Sequence, residues 1–142
     1  MSAMDRSRHG PVSAATFQVE IDGVGTADFS ACRGLGGSSR HLAVHEGGHP
    51  GVRLFPDDFH WEPLLLERGL VSDPALWTWF REGEARDGRI AILAGDGTVV
   101  GRWSFQRGRV ARWRTSDLDA SVAAVAIESI EIVHEGVQWE AT

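Results

Sequence analysis

The 142-residue chain has no lysine, no asparagine, no tyrosine and only one cysteine. Those three missing types share A/T-rich codons, so their joint absence is the expected mark of a G/C-rich bacterial genome, and the all-arginine set of 14 basic residues reflects coding bias. The lone Cys32 excludes an internal disulfide and any site built from several cysteines. Between apolar neighbours it is expected in the core. No apolar run approaches the roughly 20 residues of a bilayer-spanning helix, so membrane insertion of the monomer is not expected. Met1 to Ala15 carries arginines and a histidine without a continuous apolar stretch, which does not read as a secretory signal. It reads as a flexible arm, residues 1–15, before one domain at residues 16–142 made in the cytoplasm. There is also no cationic surplus. A net charge of −6 opposes the electrostatic term that carries general nucleic-acid binding, so no specific nucleic-acid partner is expected.

What is present is mostly β pattern. Phe17, Val19 and Ile21 alternate with Gln18, Glu20 and Asp22, the period of a strand with one buried face. Asp22 to Gly25 supplies a turn, and Ala27, Phe29 and Ala31 continue the alternation to Gly34, giving a first hairpin. From Gly36 to Pro56 glycine, histidine and proline dominate, which reads as a long loop or an extended hairpin. Phe59 to Leu66 reads as a strand, with Pro63 suited to an edge or bulge. Ser72-Asp73-Pro74 marks a helix start, and Leu76, Trp77 and Phe80 are expected to share its buried face. Arg89–Leu93 and Thr98–Phe105 flank Asp96-Gly97, a strong hairpin signal, and Arg107–Arg114 forms a further run. Val122 to His134 reads as a final long strand. The fold class is mainly β: a small β-barrel or sandwich with one short flanking α-helix and a long extended loop.

That last strand is apolar on both faces, with Val125, Ile127 and Val133 on one and Ala126, Ile130 and Ile132 on the other. A strand in a small domain has one face toward its own core, so the second face holds a bulge near Glu128-Ser129 or meets a partner. Leu64 to Leu66 poses the same question on another strand. Two such strands point to self-association.

His45-Glu46-Gly47-Gly48-His49 has the spacing of the zinc metalloprotease motif, in which two histidines one helical turn apart bind zinc and the glutamate activates water. The chemistry requires a helix, and Gly47, Gly48, Pro50 and Gly51 oppose one. A small zinc hydrolase using His45, Glu46 and His49 is therefore the alternative of a different class, and a ligand-binding barrel a third; no catalytic residue, metal or cofactor is assigned. Arg102, Arg107, Arg109, Arg112 and Arg114, interleaved with Trp103, Phe105 and Trp113, have the composition of a stacking surface. In an acidic chain, carboxylate pairing is the expected use of those arginines.

Taken in order, Phe17 to Gly23, Phe29 to Leu35, His45 to His49, Leu65 to Leu70 followed by Leu76-Trp77 and Trp79, and Val125 to Glu128 with His134-Glu135-Gly136 resemble the phage tail tube protein family. This family forms the inner tube of contractile phage tails and of bacterial contractile injection systems. The resemblance spans roughly residues 17 to 139. It departs at Arg109 to Trp113, where family members often carry an aromatic-proline pair. It implies a β-barrel with one flanking helix, similar in fold to the type VI secretion tube protein. It also implies a non-enzymatic subunit that forms hexameric rings, stacked into a hollow tube driven through a target envelope by sheath contraction. A specialised tube initiator at the baseplate is the variant reading. Implied partners are copies of itself, sheath and baseplate proteins, and protein cargo in the lumen. The implied place is a phage-tail-like particle, cytoplasmic or released.

In that family the 36–56 stretch reaches toward the adjoining ring. Candidate assembly residues are then Val44, Val52, Leu54 and Phe55 for apolar contact, with Arg40, Glu46 and Arg53 setting register by charge. Ile130 and Ile132 are added from the two-faced last strand.

Overall fold

The protein's structure, a computed structural model, describes residues 16–48 and 50–140; the expected arm at 1–15 and His49 lie outside the described residues. In chain order the elements are β1 (Thr16–Ile21), β2 (Gly25–Phe29), β3 (Ala31–Arg33), β4 (Gly37–Val44), β5 (Arg53–Trp61), β6 (Leu64–Gly69), α1 (Ala75–Glu82), β7 (Arg86–Leu93), β8 (Val99–Thr115), β9 (Ile127–Val133) and β10 (Val137–Glu140). One antiparallel sheet runs β2-β1-β7-β8-β9-β6-β3, with β10 also on β8, while β4 and β5 pair only with each other. The sheet is not closed into a barrel, because β2 and β3 end the path without pairing.

It folds over on itself through β8. The first part of that strand pairs with β7 and β10, and the last part with β9. Between them Arg107 takes a left-handed φ of 49°, held by its N–H donating to the Asp87 carboxylate at 2.8 Å. Gly108 follows because the Phe105 ring and Ile132 occupy the space a side chain would need. Alternation then aims Val19, Ile21, Ile90 and Phe105 from one layer at Leu64, Leu66, Ile130 and Ile132 from the other, all essentially buried.

The sequence reading places the first hairpin and α1 correctly and divides several strands differently. Phe59 to Leu66 is two strands, broken at Glu62-Pro63, since proline cannot donate to a ladder. Thr98–Phe105 and Arg107–Arg114 are one strand, because the left-handed residue turns β8 without ending it. The final strand is only Ile127–Val133; the chain from Ser116 to Ala126 is a loop, and β10 follows unforeseen.

Asp73 does start α1, its carboxylate accepting the Ala75 N–H at 3.0 Å, and Gly83 ends it at a left-handed φ of 71°. The buried face is Leu76, Trp79 and Phe80, not Trp77, which is 45% exposed. Positions i, i+3 and i+4 share a helix face, whereas i+1 stands about 100° away. Trp79 also satisfies its indole N–H on the Glu84 carbonyl at 2.8 Å.

Two charges lie inside. Arg68 and Glu128 face each other across β6 and β9, and Nε meets Oε1 at 2.8 Å. Trp113 Nε1 donates to the other oxygen at 2.8 Å, and the guanidinium rests over the Phe29 ring. Cys32 packs against the core as expected, and burial pushes its thiol up to about 11.

Candidate assembly surfaces

β4 and β5 form an extended hairpin whose strand residues are all exposed. A β-bulge opposite Arg40-His41 shifts the register and twists the ribbon. Cross-strand partners share a face, so one face carries Arg40, Leu42 and Val44 with Asp58, Phe55 and Arg53. The other carries Ala43, Leu54, Pro56, Phe59 and Trp61. Leu54 is 66% exposed and Phe59 64%. The ladder pairs the ribbon's backbone, while Leu42, Leu54 and Phe59 stay more than half exposed.

Its root is tightly fixed. The Glu62 N–H donates to the Gly36 carbonyl at 3.0 Å, and Gly34, at φ 86°, lies against the Pro63 carbonyl so closely that only glycine fits. The His134 Nδ1 accepts the Gly136 N–H at 3.1 Å, which leaves Nε2 to donate to the Glu62 carbonyl at 3.0 Å. The same imidazole packs between Trp61 and Phe105.

Among the assembly candidates, Arg40, Val44, Leu54, Phe55 and Arg53 lie on this hairpin, while Glu46 and Val52 lie in its connecting turn. Glu46 accepts from Arg53 at 3.1 Å across the turn. His45 and Glu46 follow the end of β4, and Gly48 and Gly51 take left-handed φ values of 83° and 118°, so the helix a zinc motif requires is replaced by a turn. Ile130 and Ile132 are corrected: both are 0% exposed and fill the subunit's own core. The outward face of β9 is instead Ile127, Ser129 and Glu131, part of an open groove of about 800 Å³ with Leu65 and Arg112.

A second apolar surface was foreseen only in part, as the Val125 end of a two-faced strand; it is a loop and includes Leu118. Leu118, Val122 and Val125 in the 116–126 loop are 69%, 56% and 78% exposed, and Leu70 and Val71 stand beside them. The Leu70 N–H on the Ala126 carbonyl, 2.9 Å, and Val125 against Gly69 join the two segments. Asp117 and Asp119 flank this apolar strip, and no lysine or arginine occurs from Ser116 to Glu140. Hydrogen bonds from the Ser121 hydroxyl and N–H hold the Asp119 carboxyl below its ordinary value. Reading Val122 to Val125 as strand hid this patch; a run of small residues between Asp119-Ala120-Ser121 and Ile127 was the available signal of a loop.

Of the five arginines from Arg102 to Arg114, Arg107 pairs with a carboxylate and Arg112 approaches Glu131 at 3.9 Å, while Arg109 donates to the Gly83 carbonyl, so carboxylate pairing holds for only part of that set; elsewhere it is clearer. Arg89 pairs with Glu20 and Asp22 at 2.6 and 3.1 Å, an arrangement that raises its proton affinity. Arg107 meets Glu135 at 2.6 Å, and Arg33 meets Glu67 at 2.9 Å. No helix among the described residues is long and apolar enough to cross a membrane.

The family model described as T4-like virus tail tube protein gp19 matches residues 13–138. A chain in the cryo-EM structure of an extracellular contractile injection system, the PVC sheath-tube complex in its extended state, superposes with a TM-score of 0.83 at 17% identity, covering 100% of this chain and 99% of the other. One in the anti-feeding prophage tube-terminating cap gives 0.78 at 18% identity, over 94% and 93%. Hcp1 of Salmonella typhimurium gives 0.60 at 15% identity, over 91% and 87%. No curated protein is matched by the sequence.

Proposed function

Because this chain belongs to the T4-like virus tail tube protein family, we propose that it is a structural subunit of the inner tube of a contractile injection system or phage tail. Copies join as hexameric rings, and the rings stack into a hollow tube inside a contractile sheath. The carrying observation is the hairpin: two strands fixed at the root, with large apolar side chains bare on both faces. A free two-stranded ribbon is marginal in water, and exposed apolar surface of this kind marks a contact with another molecule.

The sandwich supports the same reading from the other side. Its core is filled by its own side chains. A ring requires two different surfaces on each subunit, and a stack requires a further pair. The hairpin, the 116–126 loop patch and the outer face of β6 and β9 are three candidates for those four surfaces. Nothing in this role calls for catalysis; the task is stiffness and an open lumen. Sheath and baseplate proteins are the partners the role implies, and protein cargo is the content it allows. Negative-stain microscopy and native mass spectrometry of the purified full chain test the reading. Rings or short tubes are expected, and a strictly monomeric mass at high micromolar concentration would overturn it.

A further inference from the structure

β4 and β5 pair with no other strand, so the direction in which the hairpin points is set at its root. There a titratable ring joins it to the sandwich. We propose that His134 is a pH-sensitive latch: neutral, it couples the hairpin root to the turn between β9 and β10, and protonated, it releases that coupling and lets the root pivot. The latch is a property of the single subunit and stands independently of the tube reading.

The hydrogen bonds dictate which protonation state closes it. The Glu62 carbonyl can only accept, so Nε2 at 3.0 Å must carry the ring's proton, and the Gly136 N–H can only donate, so Nδ1 at 3.1 Å must be bare. Only the neutral Nε2–H tautomer satisfies both. A second proton, on Nδ1, sets donor against donor at Gly136, and the ring loses the bond that fixes its direction. The turn itself holds without the ring, because the Glu135 N–H donates to the Gln106 carbonyl at 2.9 Å and the Gln106 N–H to the Gly136 carbonyl at 3.1 Å. What comes free is the hairpin.

The surroundings accommodate both states. Trp61 and Phe105 flank the ring at centroid distances of 6.3 and 6.5 Å, and His134 is only partly buried, so an imidazolium can turn toward water. The ionisable groups on the elements around it are Glu62 after β5, Arg107 on β8 and Glu135 in the turn, with His60 and Asp58 paired at 3.8 Å further out along β5. Arg107 and Glu135 neutralise each other at 2.6 Å, whereas Glu62, its carboxylate lying against Gly36, has no ion-pair partner among the described residues. It is available to receive the released imidazolium. One leg of the ribbon's root carries Gly34, Gly36 and Gly37, and Pro63 breaks the ladder on the other, so the root can bend without parting a strand pair.

Amide exchange in the full-length protein tests the latch, with His134→Phe keeping a ring but no hydrogen bond and His134→Asn keeping an acceptor for Gly136 that takes no proton. Comparing each variant with the parent at the same pH cancels the intrinsic pH dependence of exchange. At pH 8 the Gly136 and Glu62 amides should exchange about fivefold more slowly in the parent than in His134→Phe, the weight of one hydrogen bond, and at pH 5 the two proteins should match. His134→Asn should match the parent at pH 8 and protect Gly136 better than the parent at pH 5. A parent-to-Phe ratio equal at both pH values would make His134 a fixed packing residue and overturn the latch. So would a loss of Gly136 protection in His134→Asn that parallels the parent's on acidification, a comparison that decides by itself if His134→Phe fails to fold.

Discussion

Trp77 and Trp79 stand two residues apart in one short helix and have opposite expected fates. Trp79→Ala empties a buried aromatic site and is expected to cost about 3–5 kcal/mol, while Trp77→Ala, at an exposed position, should stay within about 0.5 kcal/mol. Chemical denaturation of both variants checks the pair, and equal losses would mean that the helix is rotated from the orientation described. The Arg68–Glu128 pair gives a second contrast. Glu128→Ala leaves a guanidinium buried without its carboxylate and should lose about 3–5 kcal/mol, whereas Arg68→Met together with Glu128→Leu should lose far less. A double variant as unstable as the single one would contradict that account. Neither expectation follows from the sequence alone, since Arg68 and Glu128 look like surface charges until register sets them opposite each other.

Elements were legible where one physical signal dominated. Alternation in β1 and the Asp96-Gly97 turn between β7 and β8 gave strand identity directly, and Asp73 with Gly83 bracketed α1. Legibility failed where two signals competed. Val125 to Val133 carries apolar residues throughout, and only the Leu70–Ala126 hydrogen bond and the Glu128 pairing show which part is strand. The 36–56 stretch has the composition of a loop, yet its backbone pairs as a ribbon because Leu42, Val44, Leu54 and Phe55 are good strand formers despite their glycine-rich surroundings. Seven of the nine candidate assembly residues fell on that ribbon or its turn; the loop patch was legible only at Val125, because the rest depends on long-range contact. Replacing residues 41 to 53 with a short Gly/Ser linker should leave the sandwich folded, since no core residue is removed and loop closure depends weakly on length. Circular dichroism should retain the β spectrum and microscopy should show no long tubes. Wholesale unfolding would mean that the ribbon supports the core.

At the scale of the whole molecule, acid acts on the subunit through carboxylates whose values the fold lowers. A carboxylate whose value is lowered in the folded state contributes above its unfolded value, about 3.9 for aspartate, and that contribution is lost as pH falls through the lower folded value. Asp119 is of this kind through hydrogen bonds from Ser121 of its own subunit, so its contribution is to folding, present above the ordinary aspartate value and lost as pH falls below it. Chemical denaturation of the full chain between pH 7 and pH 3 measures this: Asp119→Asn should lessen the loss of stability at the acid end, and an unchanged profile would contradict it. A further consequence comes from β8. Its 17 residues run through both layers without a break, so a load applied along β8 travels along covalent backbone, not across an interface of side chains. A tube built from such parts should behave as rigid links joined by softer couplings, and under rising load it should part between rings before any one subunit unravels. Pulling single tubes end to end should then show steps of ring separation with no chain extension.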